Sequence, residues 1–284
     1  MTHIGVDGEV LPAAEVRIDP LDLGLHRGLA VFDYFPVRGG RARFLTDYLR
    51  RFRRSARAMG LHANLPSQAA LAAHLHALAE ANALERGGCK LLLTGGASAD
   101  GYTPTQPRLY TYALPQNSPP AAQPAGESIR VLLLEHARQT PSIKTTDYAA
   151  AMRHYPTMRS AGAEELVYHH GGYVTEASRS NVFCVTEQRQ VWVPPTDSAL
   201  PGVTRRHFIA AARELGYVVL ERSLPLEALL GAPEVGITGS SRGVTAVTTI
   251  ASQPVGDGTV GEVTRVLAEA FEARAERLAG WDEP

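Results

Sequence analysis

Apolar residues recur along this chain with two different periods, and each change of period marks a boundary between elements. In "TDYLRRFRRSARAMGL" (46–61), Leu49, Phe52, Ala56 and Met59 return at helical spacing and Gly60 stands where a helix would stop. A second helix is predicted over "SQAALAAHLHALAEANAL" (67–84), with Leu71, Leu75 and Leu78 on one face. Two strand-like runs follow, "KLLLT" (90–94) and "RLYTYA" (108–113), parted by a glycine-containing loop. The stretch "ALPQNSPPAAQPAGES" (113–128) then breaks the pattern with four prolines and almost no large apolar residue. It predicts a stiff, extended linker over 114–127 between a small domain (1–113) and a larger one (128–284).

Beyond the linker the pattern is rich in strands. "IRVLLLEHA" predicts a strand, and "DYAAAMRHYPTMRSAG" a helix at least up to the residue before Pro156. "EELVYHHGGYVTEAS" predicts two strands joined through Gly171-Gly172, and "NVFCVT" with "QVWVP" another pair. "TRRHFIAAARELGY" predicts a helix ending near Gly216. "YVVLERSL", "EVGIT" and "GVTAVTTI" add strands, and "GEVTRVLAEAFEARAERLAG" closes the chain as a helix. Its expected inner face is Val263, Val266, Leu267, Ala270 and Phe271. The fold class expected is α+β, with a helix-bearing N-terminal domain and a strand-rich C-terminal one.

Composition changes this picture little. With 284 residues, 44% of them hydrophobic, the chain has enough to fill a sizeable core. A net charge of −1 removes any global electrostatic reason to expect nucleic acid or a membrane surface as partner. The start "MTHIGVDGEV" has neither the basic opening nor the apolar stretch of a secretory signal. No apolar run approaches the roughly 18 residues of a spanning helix. Cys89 and Cys184 lie in strand-like runs and are expected as buried hydrophobes of a reduced, cytoplasmic protein. His26, His136, His154, His169, His170 and His207 show no metal-ligand spacing.

Charge type is more informative than net charge. Of 28 basic residues 26 are arginine, and only Lys90 and Lys144 are lysine. An arginine side chain stays protonated in proteins, whereas a lysine can be shifted to the neutral amine that attacks a carbonyl. Each lysine here is therefore a candidate for covalent chemistry, against the plain alternative of codon preference. Lys90 opens a strand and is expected as a solvated strand end. Lys144, in "PSIKTTDY", sits at an element boundary, where catalytic groups are often presented.

Downstream motifs single out Lys144. "TEASRSNVFCV" (175–185) and "LPGVTR" (200–205) follow it in order. Together the three resemble the signature of the class IV aminotransferases, the fold-type IV enzymes that use pyridoxal 5′-phosphate (PLP). The chain is most similar to their D-amino acid aminotransferases, over about Arg27 to Val247. The resemblance implies a small N-terminal α/β domain, a larger strand-rich domain that binds the cofactor, and a homodimer. It places Lys144 at the Schiff-base lysine that moves a proton between Cα and C4′. Glu176 falls at the acid facing the pyridine nitrogen, where it keeps the ring protonated and electron-accepting. Asn181 matches an asparagine that shapes the strand turn. The amides of Gly202, Val203 and Thr204 would open a helix and receive the phosphate, and Gly202 allows close approach. Arg51, in "YLRRFRRSA", and Ser240, in "TGSSRGVTAV", match further phosphate positions. Without the resemblance, the arginine run would suggest a solvated helix face or a nucleic-acid patch.

Departures from the family bear on substrate. "LAVFDYFPV" (29–37) carries proline where relatives often have glutamate. "LLLTGG" has Gly95 where D-amino acid aminotransferases carry the arginine that grips the substrate carboxylate. Arg27, in a loop the family places at the site's mouth, and Arg179, in "EASRSN", are the candidate replacements, because a guanidinium suits a bidentate grip on a carboxylate. The alternative for Arg179 is an ion pair with Glu164 or Glu165, and for Arg27 a surface charge. Tyr34 is a candidate pocket-lining residue, and Tyr148 is left open between packing and approach to the ring hydroxyl.

The function expected is transfer of an amino group from an amino acid, D in preference, to a 2-oxo acid such as pyruvate or 2-oxoglutarate. The alternatives on this fold are a branched-chain L-amino acid aminotransferase, an (R)-amine transaminase and aminodeoxychorismate lyase. A protein that binds phosphorylated ligands or nucleic acid without covalent chemistry is the alternative of a different class.

Overall fold

The fold is described from a computed structural model covering residues 1–62, 65–116 and 128–281. Most of the linker expected over 114–127 lies outside the described residues. Two compact units are present. The first comprises Met1–Pro119, Ile143–Asp147 and Leu278–Pro284, and the second Pro120–Ser142 and Tyr148–Arg277.

In the first unit β1 (His3–Val6) and β2 (Glu9–Pro12) form a hairpin, followed by the single turn α1 (Leu23–His26). Next come β3 (Ala30–Arg38), β4 (Arg41–Ala42), α2 (Leu45–Ala58), α3 (Gln68–Ala81), β5 (Arg86–Thr94) and β6 (Arg108–Pro115). The six strands make one antiparallel sheet in the order β2-β1-β6-β5-β3-β4. Alternation along β3 sorts its side chains to two faces. Asp33 and Phe35 meet Arg51 and Tyr48 of α2. Phe32 and Tyr34 point the other way and share their face with Lys90, Tyr110 and Tyr112 through the register of β3, β5 and β6.

The predicted stripe of α2 is present, with Leu49, Phe52 and Ala56 buried, although Met59 in the last turn is only half-buried. α3 starts at Ser67, whose side chain accepts from the Ala70 amide at 3.1 Å and so caps the helix. Residues 143–147 run along the free edge of β3, with Val31 bridged to Thr145 and the Phe32 amide donating to Lys144 O at 3.0 Å. The chain's end also docks on this unit. The Gly280 amide donates to Ala42 O at 2.8 Å, and Trp281 Nε1 to Gly40 O at 2.7 Å.

The second unit contains β7 (Ser128–Glu135), α4 (Ala149–Ser160), β8 (Glu165–His170), β9 (Tyr173–Ala177), β10 (Asn181–Val185) and β11 (Val191–Val193). It continues with α5 (Val203–Glu214), β12 (Val219–Glu221), β13 (Leu224–Pro225), α6 (Leu226–Leu230), β14 (Glu234–Gly239), β15 (Gly243–Ile250), β16 (Gln253–Pro254) and α7 (Glu262–Arg277). One mixed sheet runs β12-β11-β10-β14-β15-β7-β8-β9-β13, with β16 paired to β15. Its main core gathers Ile129, Val131, Val182, Cys184, Ile237 and Val247 among others.

Several local expectations meet their physical test here. The β8–β9 hairpin turns on Gly171 and Gly172 at φ 55° and 81°, the left-handed pair that a two-residue turn needs. α4 continues through Pro156 to Ser160; the carbonyl that loses its partner belongs to Met152, an exposed residue. The inner face of α7 differs in part from the one expected. Val263, Leu267 and Phe271 are buried, but Val266 and Ala270 are half-buried, and Thr264, Ala268 and Ala275 lie inside. The helix packs against both α5 and β15, which widens and turns its buried stripe.

Cys89 and Cys184 are free and buried, and burial pushes both thiols up to about 12. Neither should react with a disulfide reagent at pH 8 in the native protein, and both should react once it is unfolded, as counted by absorbance of the released thiolate.

Candidate active site

Lys144 is held by its main chain. Its amide donates to Ser55 Oγ of α2 at 3.2 Å, while its carbonyl accepts from Phe32 of β3. With both backbone groups engaged, the side chain leaves from a defined point. Nζ lies 4.6 Å from the centroid of the Phe32 ring, and the residue is half-buried.

Ser55 shares a flank of α2 with Tyr48 and Arg51, all three buried. Arg51 grips Asp33, with Nε to Oδ2 at 2.9 Å and NH2 to Oδ1 at 2.6 Å. The two side chains are 5% and 0% exposed. This pair ties α2 to β3 directly beneath Phe32 and Tyr34, and it uses two of the five guanidinium donors. Sequence reasoning missed Asp33. Its only signal is an acid in an otherwise apolar strand facing the arginine-rich helix.

The second unit presents Glu176, which is 4% exposed. Oε1 accepts from Arg138 NH1 at 3.1 Å, and Oε2 from the Leu200 amide at 3.0 Å. These two donors, one on each oxygen, fix the plane of the carboxylate. Arg138 was not anticipated either; nothing in its local spacing marks it.

Asn181 buttresses the same region. Its Nδ2 donates to Leu200 O at 2.7 Å, and a Cβ added at Gly202 would meet its Oδ1 at 2.0 Å. That contact, not an unusual φ, is what requires glycine there, since Gly202 has φ −65°. Gly202 begins α5, and no side chain caps the helix although Val203 and Thr204 are buried. Arg205, in the first turn, anchors the helix by donating to Pro194 O and Glu221, both at 2.9 Å. The face of β10 and β14 toward α5 carries Phe183, whose ring lies 4.5 Å from that of Phe208. Thr238, the register partner of Asn181, shares that face. Among the described residues, the buried Thr238 Oγ1 has no hydrogen-bond partner. Ser240 follows one residue after β14 and is half-buried.

The substrate candidates stand as follows. Arg179 is 55% exposed, with Nε 3.4 Å from Glu165 Oε2 and NH2 donating to Glu164 O at 3.1 Å. This is the ion pair that competes with a carboxylate role. Arg27 is exposed, with its guanidinium 4.7 Å over the Tyr102 ring and Nε donating to Gly101 O. A Cβ at Gly95 would meet Leu23 and Leu29 at 3.0 Å, so leucines occupy the space beside it. Tyr34 is half-buried, lies over Gly88, and its hydroxyl is shifted upward by burial. Tyr148 packs with Ala151, Met158 and Tyr168. Lys90 departs from expectation. It is a half-buried residue whose Nζ lies 5.2 Å from the Phe32 ring, because its register partners Tyr34 and Tyr112 flank it.

The model for the amino-transferase class IV family matches residues 30–250, most of the chain. The chain belongs to the class IV aminotransferases. Curated relatives include the D-alanine aminotransferase of Staphylococcus aureus (strain COL), 27% identical over 97% of this chain and 99% of its own length. That of Bacillus licheniformis is 27% identical over 94% of each. Among solved structures, the Escherichia coli branched-chain amino acid aminotransferase has a TM-score of 0.85 at 24% identity, covering 96% of this chain and 94% of that one. A hypothetical aminotransferase from Mycobacterium tuberculosis, in its PLP-bound form, has a TM-score of 0.83 at 22% identity, covering 96% and 98%. At these identities the structural likeness shows the fold.

This class IV aminotransferase is a transaminase that uses PLP. When bound, PLP supplies an aldehyde that joins amines and a cationic ring that accepts electrons from Cα. The residues present fit such a group. In the first unit a half-buried lysine would suit an aldehyde; in the second, a fixed carboxylate would suit a ring nitrogen, and a buried helix start without a side-chain cap, with the unpartnered Thr238 hydroxyl on the same sheet face, a phosphate.

Asp33→Ala should destabilise the protein by about 3–5 kcal/mol in urea unfolding, since it strands a buried guanidinium, and the double change Asp33→Leu with Arg51→Met should cost less than Asp33→Ala. Gly202→Ala should keep the overall fold by circular dichroism but destabilise the protein by about 1–3 kcal/mol in urea unfolding, because Asn181 must release Leu200.

Proposed function

We propose that this class IV aminotransferase takes the amino group from a D-amino acid and passes it to a 2-oxo acid such as pyruvate or 2-oxoglutarate. One observation carries the choice of donor: relatives named D-alanine aminotransferase match at 27% identity over nearly their whole length. Lys144 Nζ would hold the cofactor's aldehyde and would move the proton of the substrate's Cα. Glu176, steadied by Arg138 and the Leu200 amide, holds the proton on the ring nitrogen. The amides at Gly202, Val203 and Thr204, with Ser240 and the Asp33-braced Arg51, hold the phosphate. Arg27 and Arg179 receive the substrate carboxylate and Tyr34 lines the pocket; for Arg179 this means yielding its contact with Glu165. A homodimer and a cytoplasmic location belong to the same proposal and rest on the resemblance. Among the described residues, no helix is long and apolar enough to cross a membrane.

A second reading, a branched-chain L-amino acid aminotransferase, is favoured by the leucines beside Gly95, which make that wall apolar where D-amino acid enzymes carry an arginine. Single half-reactions with D- and L-amino acids separate the two. The bound aldehyde's absorbance should be lost with D-alanine, and borohydride should fix the cofactor's mass on Lys144. Loss with L-leucine or L-valine alone would establish the second reading, and a protein that takes up no PLP would remove both. Arg27→Ala and Arg179→Ala should each raise KM for the donor more than they lower kcat.

A further inference from the structure

Arg27 and Tyr102 stack at the ends of two segments that hang from one anchor. The guanidinium carbon of Arg27 lies 4.7 Å from the centroid of the Tyr102 ring, and its Nε donates to Gly101 O at 3.2 Å. Among the described residues, neither NH1 nor NH2 of Arg27 has a hydrogen-bond or ion-pair partner. We infer that Tyr102 is a positioning residue for Arg27: its ring is the platform on which the guanidinium is held with both terminal amino groups available to a substrate carboxylate. The consequence for catalysis rests on the carboxylate role of Arg27 proposed above; the positioning does not.

Both halves of the pair are preset by the backbone. Asp22, 1% exposed, caps α1 by accepting from the Gly24 amide at 2.7 Å, and its other oxygen accepts from Thr94 Oγ1 at 2.7 Å. The Arg27 amide closes that turn on Leu23 O at 2.8 Å, so its side chain leaves from a fixed Cα. The loop carrying Tyr102 is pinned to the same segment. Asp22 is bridged to Ala97, the Leu23 amide donates to Gly96 O at 2.9 Å, and the Ser98 amide donates to Leu21 O at 3.3 Å. Beyond that base the loop is tied by Asp100. Its carboxylate accepts from Thr103 Oγ1 at 2.6 Å, from Ser98 Oγ and the Thr103 amide at 2.8 Å, and from the Tyr102 amide at 2.9 Å. These donors, the Thr103 hydroxyl first, hold Asp100 well below the usual carboxylate range. Its acceptors are engaged inside the loop, and among the described residues it forms no ion pair with Arg27. Burial fixes neither side chain, since Arg27 is exposed and Tyr102 is 73% exposed. An untethered arginine spreads over many rotamers, and ordering it weakens any carboxylate it binds. A carbonyl at Nε and a ring beneath the guanidinium plane order it before the carboxylate arrives. The attraction is that of an exposed cation–π pair, so its loss weakens binding without abolishing it.

The test compares Tyr102→Leu, Tyr102→Phe and Arg27→Ala in the full-length, PLP-loaded enzyme with D-alanine as donor. Tyr102→Leu should raise KM for D-alanine by about threefold, the size of one exposed cation–π contact, and leave kcat within about twofold. Tyr102→Phe should match the wild type, because the ring and not the hydroxyl carries the contact. Adding Tyr102→Leu to Arg27→Ala should raise KM no further, since the two residues act as one unit. Nitrogen NMR relaxation of the Arg27 Nε–H group, assigned by its loss in Arg27→Lys, reads the side chain directly. That group should be ordered in the wild type and in Tyr102→Phe, and more mobile in Tyr102→Leu. An Nε–H equally ordered in Tyr102→Leu, or already mobile in the wild type, overturns the proposal. So does a double variant whose KM exceeds that of Arg27→Ala by the full effect of Tyr102→Leu. A KM unchanged in Arg27→Ala would instead remove the carboxylate role of Arg27, and the Nε–H measurement would still decide the positioning.

Discussion

The long side chain of Lys144 is directed only if its backbone starts from a fixed point. Here two backbone hydrogen bonds supply that point, from Lys144 N to Ser55 Oγ and from Phe32 N to Lys144 O. The five-residue segment around it borrows the edge of β3 as a template and one hydroxyl of α2 as a stop. Its position is therefore only as firm as the packing of α2 on β3. The buried Arg51–Asp33 fork serves that packing, and it explains why a strand of apolar and aromatic residues contains one acid. A charge pair at this depth adds little net stability over apolar residues of the same shape. What it adds is register, because a bidentate fork is satisfied in one alignment of helix and strand.

The acid in the second unit is organised by the same logic. Glu176 lies at the end of a short strand, yet its carboxylate is fixed by a guanidinium and a backbone amide that come from different parts of the chain. The Leu200 segment that supplies the amide is held in turn by Asn181, and Asn181 also sets how closely the start of α5 approaches, through its contact with Gly202. A carboxylate, a turn and a helix N-terminus are thus coupled through one asparagine. A change at Asn181, Leu200 or Gly202 should therefore be felt at the other two.

Much of the fold was legible beforehand. The periodicity of α2, α3, α5 and α7, the Gly171-Gly172 hairpin and the buried cysteines all follow from local rules about which residues bury and which backbones turn left-handed. The ordered motifs around Lys144, Glu176 and "LPGVTR" were enough to name the family, which the family model then matched over residues 30–250. The misses also share a cause. Val266 and Ala270 were assigned to the inside of α7 by a single-stripe rule, whereas that helix packs on two neighbours. Lys90 was taken for a solvated strand end because its own strand says nothing of the aromatic residues placed beside it.

The chain's sequence by itself determined its elements, its family and its cofactor, since these depend on spacing within short segments. Only the tertiary structure decided which charges are paired and which are neighbours: Arg51 with Asp33, Glu176 with Arg138, Arg179 with Glu165, and both lysines with Phe32. Those partners are brought together by sheet register and helix packing. Electrostatic interactions depend on distance and burial in space, and neither can be read from separation along the chain.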